Sequence, residues 1–217
     1  MANNLKFTVN ELIRLYMLSY GVTPSVFSYL AGATSDIQNQ INTNNPIAAH
    51  QAWIGAYAMW PCTTGGSPDL TKREMGTSLV NIQSLNFDAT NQEFAQCFWS
   101  FPDNWDRGTI AASVYWTTTG GSAGEIVQWG LSAGAYSNDD PLTTALGSAQ
   151  TVDDTWIADN DLHITAATAA ITIAGTPAGA DMIVLQISRN PGSDTLAVDA
   201  ELLGMTINYV TEAAVTS

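Results

Sequence analysis

The period of the hydrophobic pattern changes near Gln51, and this change constrains the fold more than any other feature of the sequence. From there on, short apolar or alternating runs with a period of about two are separated by clusters of Gly, Pro, Asn and Asp. Such runs are typical of β-strands, whose successive side chains point to opposite faces of a sheet. The eight predicted strands are AWIGAYAMW, SLVNIQSLNF, EFAQCFWSF, TIAASVYWTTT, EIVQWGLSAGAYS, LHITAATAAITIA, DMIVLQISR and TLAVDAELLGMTINYV.

These runs predict the fold class. No long helical pattern lies between them, which argues against parallel strands joined by crossover helices. We therefore predict an all-β fold, an eight-stranded antiparallel jelly-roll-like β-sandwich with Greek-key connections, in preference to a closed barrel. The chain of 217 residues is long enough for one such domain plus a small extra element. We assign the β-sandwich head domain to residues 47–217.

The first 46 residues carry helical patterns instead. Thr8 and Glu11 have the spacing of a capping box, and Gly21 supplies a stop signal. The apolar face of this predicted helix either packs under the β domain or anchors the subunit in a larger assembly. That anchor face comprises Val9, Leu12, Ile13, Tyr16, Met17 and Tyr20.

A second capped helical segment begins at Ser35 and places Ile37 and Ile41 on one narrow stripe. An isolated helix of this length is marginally stable in water. The two isoleucines are therefore expected to meet copies of themselves around an axis or to rest on the head domain. The breakers at 42–46 end the pattern, so residues 1–46 are predicted to be a separate N-terminal helical anchor segment, and its role in trimerisation is implied only by the resemblance described below.

Composition excludes several classes of partner. Charged residues make up 12% of the chain, and its six Lys and Arg against twenty Asp and Glu give a formal net charge of −14. Six cations are too few for the basic groove that nucleic acid requires. The negative charge also argues against anionic membrane surfaces, and no run of about 18 apolar residues predicts membrane insertion. We expect no signal peptide, and we expect Cys62 and Cys97 to be ordinary small apolar residues.

The stretch FSYLAGATSDIQNQINT at 27–43 resembles a short segment of phage tail fibres and other fibrous virion proteins. In those proteins an aromatic-Leu pair, a Gly-containing turn and a Gln-rich helix lie at a trimer axis. The residues around Met59–Pro61, Phe101–Gly108 and Asp161–Pro177 also look like the β head of phage structural proteins. The resemblance covers roughly residues 27–210, and it implies that Phe27, Leu30, Ile37 and Ile41 lie at a trimer axis.

This resemblance implies a function. The chain is expected to be a virion structural protein of a tailed bacteriophage, a homotrimeric short tail fibre or tail spike subunit that attaches the virion to a host surface glycan or protein. The alternative is a capsid decoration or head-fibre protein with the same trimeric head. In either case its N-terminal segment would contact other virion proteins, and it would be made in the host cytoplasm. We expect no enzymatic activity and no cofactor.

Hydrolase chemistry and cation binding are the alternatives to this expectation. The segment Gly130–Gly134 spells G-x-S-x-G around Ser132, and His163 follows, as in an esterase, but the pentad interrupts a strand-like run. Nothing in the sequence places the carboxylate pair of a glycan hydrolase. Carboxylates between two predicted strands could hold a cation or cap turns, and these residues are Asp139, Asp140, Asp153, Asp154, Asp159 and Asp161. We assign no catalytic and no metal residue.

Tryptophans supply the candidate receptor contacts. Trp105 lies in the turn-like sequence PDNWDRG and Trp156 in DDTWIAD, where an indole is expected to be partly exposed. Five others lie in strand patterns and are expected in the core or at a subunit interface: Trp53, Trp60, Trp99, Trp116 and Trp129. The isolated His50 and His163 are expected to be satisfied polar or partly buried groups.

Overall fold

The computed structural model describes residues 48–66 and 69–212. Residues Ile47–Glu212 form one compact unit. The predicted anchor face and trimer axis lie outside the described residues and stay predictions: Val9, Leu12, Ile13, Tyr16, Met17, Tyr20, Phe27, Leu30, Ile37 and Ile41. No helix in the described part of the chain is long and apolar enough to cross a membrane.

Two antiparallel sheets face each other, which confirms the predicted all-β sandwich. The six-stranded sheet has the order β3-β4-β11-β6-β9, with β1 also paired to β11. Its strands are β1 (Ala48–Gly55), β3 (Thr71–Glu74), β4 (Asn81–Phe87), β6 (Ala111–Thr117), β9 (His163–Ile164) and β11 (Ala200–Thr211). The five-stranded sheet has the order β2-β5-β10-β7-β8. Its strands are β2 (Trp60–Pro61), β5 (Glu93–Trp99), β7 (Ile126–Tyr136), β8 (Gln150–Thr155) and β10 (Met182–Arg189). The helical elements within the described residues are two short 3₁₀ turns, Ala56–Ala58 and Pro191–Ser193.

The described residues form eleven strands rather than the predicted eight. Strands β3 and β8 come from polar sequences, TKRE and QTVDDT, that lie outside the eight predicted strands. Both lie at an end of the strand order of their sheet, where a polar composition is tolerated because one side of the strand faces solvent.

The predicted strand at 162–174 forms only β9, because two threonine hydroxyls replace the regular ladder. Thr165 and Thr168 donate their backbone N–H groups to the carbonyls of Val114 and Ala112 in β6. Their side-chain hydroxyls accept the N–H groups of the same two residues, at 3.0 and 3.1 Å. Because the two threonines are three residues apart, this segment satisfies the hydrogen-bonding groups of β6 without the two-residue period of a regular strand.

The core lies between the sheets and is built around large aromatic side chains. Trp116, Trp129 and Phe87 are fully buried, and the rings of Phe87 and Trp129 pack edge to face with centroids 5.2 Å apart. Burial of such side chains is the main driving force for folding. The inward residues of both sheets are therefore committed to packing, and any binding site on the strands has to use their outward residues.

Candidate functional site

The outer face of the five-stranded sheet carries polar side chains at the centre of otherwise apolar strands. In β10, Ile183, Leu185 and Ile187 belong to the core. Gln186 and Ser188 alternate with them and line surface depressions on the opposite side. Because successive strand residues point to opposite faces, the amide of Gln186 lies outside the sandwich.

Strand register brings four of these outward residues into one line, which we call the central row. Trp60 in β2 pairs with Gln96 in β5, Gln96 pairs with Gln186 in β10, and Gln186 pairs with Ser132 in β7. The Nε2 atom of Gln96 donates to Oε1 of Gln186 over 2.8 Å. The central row thus presents an indole, two amides and a hydroxyl across four adjacent strands.

One end of the central row is aromatic, because Phe98 packs beside Trp60 there. The rings of Trp60 and Phe98 pack edge to face, with centroids 4.8 Å apart and an interplanar angle of 78°. Their exposed fractions are 41% and 57%, although large aromatic side chains are among the most favourable to bury. Exposed aromatics next to polar groups are a feature of binding surfaces rather than of folding.

A second line of polar groups, the amide row, runs parallel to the central row. Gln92 donates to Asn190 over 2.6 Å, Asn190 donates to Gln128 over 3.3 Å, and Gln128 donates to the carboxylate of Asp153 over 2.8 Å. These bonds hold each amide in a defined orientation. The face is therefore a preorganised set of donors and acceptors.

Three adjoining depressions of 640, 460 and 510 Å³ cover this face, and we call them together the groove. Gln186 lines all three. The largest is bounded by Tyr136 and by the segment 137–149, which includes Leu146. Leu146 rests on Gly134, where a Cβ would lie 2.9 Å from the leucine Cδ2. The Tyr136 hydroxyl donates to the Thr144 carbonyl over 2.7 Å. These contacts fix the wall of an open groove.

Cys62 lies at the edge of this groove. Its Sγ is 4.0 Å from Oε1 of Gln186, and it lines the depression next to Trp60. Burial raises the pKa of the Cys62 thiol, so this side chain remains a neutral group at pH 7. Both Cys62 and Cys97 are free cysteines.

The structure corrects the expected exposure of one of the two candidate receptor contacts, Trp105. Trp105 was expected to be partly exposed but is fully buried, because its ring stacks on Phe101 with centroids 4.3 Å apart. Trp156 is partly buried and packs against the core, with its indole lying over Gly121. Neither indole lines the groove.

The geometry of the G-x-S-x-G segment does not match that of an esterase. Ser132 lies in the middle of β7, an antiparallel strand of 11 residues, and not at a strand-to-helix turn. His163 lies in β9 of the other sheet, where its ring stacks on Trp116 with centroids 4.3 Å apart. His163 therefore lies in a different sheet from Ser132, and Ser132 contributes a hydroxyl to the central row.

The predicted acidic residues act locally. Asp154 accepts from the Trp116 indole N–H over 2.8 Å, Asp140 accepts from the Ser137 backbone over 2.9 Å, and Asp153 belongs to the amide row. Asp139, Asp159 and Asp161 are exposed. Within 48–66 and 69–212, no three His, Cys, Asp or Glu residues come close enough to hold a metal ion. His50 is a satisfied polar group, 2.8 Å from the Thr211 hydroxyl, whereas the Nε2 atom of His163 is buried without a hydrogen-bond partner among the described residues.

A second exposed aromatic cluster lies on the six-stranded sheet. Trp53 is 48% exposed and packs edge to face on Tyr115, with centroids 4.8 Å apart. Its ring crosses Gly204, where a Cβ would lie 2.6 Å from the indole. Trp53 thus matches Trp60 in residue type and exposure but lies on the opposite sheet, which makes it a suitable control.

Sequence reasoning missed the glutamines of the groove. The available signal was a single amide in the middle of an apolar run, Gln96 in EFAQCFW and Gln186 in MIVLQISR. In a strand with one face in the core, such a residue marks the outward face.

Comparisons with known proteins give fold resemblances at low identity. No family model matches the chain, and no curated protein matches it. Among solved structures, a non-crystalline cellulose specific carbohydrate-binding module, CBM28, is 13% identical with a TM-score of 0.42, over 78% of this chain and 95% of that chain. The family 11 carbohydrate-binding module from Clostridium thermocellum is 9% identical with a TM-score of 0.40, over 76% of this chain and 98% of that chain. Because both TM-scores are below 0.5, we draw neither a family nor a function from these structures.

Proposed function

We propose that this chain is a non-catalytic glycan-binding protein, and that the glycan lies along the central row on the outer face of the five-stranded sheet. The observation that carries the proposal is the placement of exposed Trp60 at the end of a row that continues with Gln96, Gln186 and Ser132. A sugar ring has an apolar face of C–H groups and a rim of hydroxyls. An indole offers a rigid apolar surface for the first, and amides offer both donors and acceptors for the second.

The groove is open, and its hydrogen-bonding groups are partly accessible to water. Each hydrogen bond exchanged with water contributes only about 0.5–1.5 kcal/mol. A single groove is therefore expected to bind weakly, and several copies acting together would raise the overall strength by effective concentration.

The wider role that we propose is attachment of a tailed-phage virion to its host, with the groove as the contact to a host surface glycan. The support for the virion role is the resemblance of residues 27–43 to phage fibre segments, together with the predicted homotrimer. A capsid decoration or head-fibre protein would carry the same head at a different place on the particle. Quantitative mass spectrometry of virions separates the two, because decoration gives many more copies per particle than a tail fibre.

The binding proposal is tested on a glycan microarray with the full chain and the variant Gln186→Leu, which keeps a side chain of similar size but removes the central amide. The parent chain is expected to bind at least one glycan class, and the variant to lose about tenfold in affinity, the equivalent of about 1.4 kcal/mol. The matched control is Gln51→Leu on β1 of the other sheet, which is expected to bind as the parent does. Absence of binding by the parent chain, or equal effects of both variants, would contradict the proposal.

A further inference from the structure

We propose that the groove selects uncharged glycans and excludes anionic ones. This inference rests on the proposed function and goes further by naming the ligand class. Its basis is the distribution of charge over the described surface, since the shape of the groove alone would admit neutral and acidic sugars equally.

As far as the described ranges 48–66 and 69–212 form it, the lining of the groove contains no cationic side chain. The residues around the three depressions are amides, hydroxyls, aromatics, aliphatics and one thiol, with no Lys, Arg or His among them. The charged groups nearby are carboxylates. Asp153 ends the amide row beside Gln128, and Asp181 lines a smaller depression next to Phe98 and Met182.

The cations of the described residues lie elsewhere. Lys72 and Arg73 are on β3 of the other sheet, and Arg73 pairs with Glu201 over 2.9 Å. Arg189 is fully buried and pairs with Asp194 over 2.8 Å. Arg107 lies in the connection between β5 and β6. None of these four lines the depressions, so an acidic sugar in the groove finds no counter-ion among the described residues.

The consequence for an anionic ligand is unfavourable in two ways. A carboxylate or sulfate that leaves water without gaining a cationic partner carries an uncompensated desolvation cost. It also approaches a chain with a formal net charge of −14, whose repulsion extends over roughly 10 Å at about 0.1 M salt. A neutral sugar has neither cost, and its hydroxyls can exchange hydrogen bonds with the amides of Gln96 and Gln186.

The test compares immobilised polysaccharides that share a backbone and carry either neutral or anionic substituents, by biolayer interferometry with the full chain. The pairs are hydroxyethylcellulose with carboxymethylcellulose, dextran with dextran sulfate, and methyl-esterified with free polygalacturonan. For whichever backbone binds, the anionic form is expected to bind at least tenfold more weakly at about 0.01 M NaCl. The gap is expected to narrow at about 0.1 M, where the Debye length falls from about 30 to about 10 Å. Anionic binding as strong as neutral binding would overturn the inference and leave the proposed function standing.

Two further arms make the inference specific. Gln186→Lys replaces the central amide with a cation, so it should weaken binding of the neutral form and raise the ratio of anionic to neutral affinity about fivefold, the effect of one ion pair at about 4 Å in water. Gln51→Lys changes the net charge equally on the other sheet and is expected to have a smaller effect. EDTA is expected to change nothing, and loss of binding in EDTA would overturn the inference by showing that a bound cation supplies the missing charge. If no glycan of either kind binds, the proposed function fails first.

Discussion

Arg189, at the end of β10, is a residue whose replacement should strongly destabilise the fold. It is fully buried, and all five of its N–H groups have acceptors. Nε and one Nη donate to the two carboxylate oxygens of Asp194, at 2.8 and 3.2 Å. The remaining three donate to the backbone carbonyls of Phe87, Val198 and Leu196. The guanidinium therefore joins β4, β10 and the segment before β11.

The loss of folding free energy in Arg189→Met follows from the Asp194 carboxylate that the substitution leaves without a partner. Asp194 is also buried, with 2% of its side chain exposed, and it would lose its only ion pair within the described residues. Removing one partner of a buried ion pair costs about 3–5 kcal/mol, because an uncompensated charge remains. For a chain of this size each kcal/mol lowers Tm by about 2–4 °C, so the variant should melt about 6–20 °C below the parent. Arg189→Lys should fall between, since Lys has three donors instead of five.

Urea unfolding followed by tryptophan fluorescence measures this loss, and Arg189→Met combined with Asp194→Asn provides the control. The double variant removes the stranded charge and should recover part of the loss. A cost below about 1 kcal/mol for Arg189→Met would place the pair with exposed salt bridges and refute the reasoning.

Three further predictions concern the thiols, acid stability and assembly. Burial raises the pKa of Cys97 to about 12, and Cys62 is partly exposed. Iodoacetamide at pH 8 should therefore label Cys62 first and Cys97 only after unfolding. A bound glycan should slow the labelling of Cys62, and peptide mass spectrometry measures both effects. Hydrogen bonds from Thr90 and Asn91 lower the pKa of Asp88 to about 2 from 3.8, so its contribution to stability is present above pH 4 and lost as pH falls towards 2. Asp88→Ala should therefore reduce the dependence of the free energy of unfolding on pH over that range, as measured in urea. An unchanged pH dependence in the variant would refute the assignment. The full chain should sediment as a trimer at micromolar concentration, and the Ile37→Asp, Ile41→Asp double variant as a smaller species; a parent chain that sediments as a monomer would contradict the predicted trimer axis.

The fold class followed from local patterns because the inward faces of a sandwich impose a period of two along most strands. The pattern failed where another requirement prevailed. In β8, Val152 and Asp154 alternate with exposed residues, but two adjacent aspartates resemble a loop when taken alone. Between 162 and 174 the hydroxyls of Thr165 and Thr168 satisfy β6, which an alternating sequence does not reveal.

The site was less predictable because it depends on distant pairing. Gln96 and Gln186 are 90 residues apart, and only the register of β5 against β10 places their amides 2.8 Å from each other. The prediction that Trp105 is partly exposed was wrong for a related reason. Its local sequence is that of a turn, but its burial depends on Phe101 and on an isolated bridge to Thr211 in β11.

The central claim is tested most directly by isothermal titration calorimetry of one array-identified glycan with Trp60→Ala and Trp53→Ala. Both variants remove an exposed indole, 41% and 48% accessible, from opposite sheets. Truncating a binding aromatic typically costs about 2 kcal/mol or more, so Trp60→Ala should weaken affinity about thirtyfold while Trp53→Ala leaves it unchanged. Equal affinity of Trp60→Ala and the parent chain, or a loss confined to Trp53→Ala, would contradict a glycan site on the five-stranded sheet.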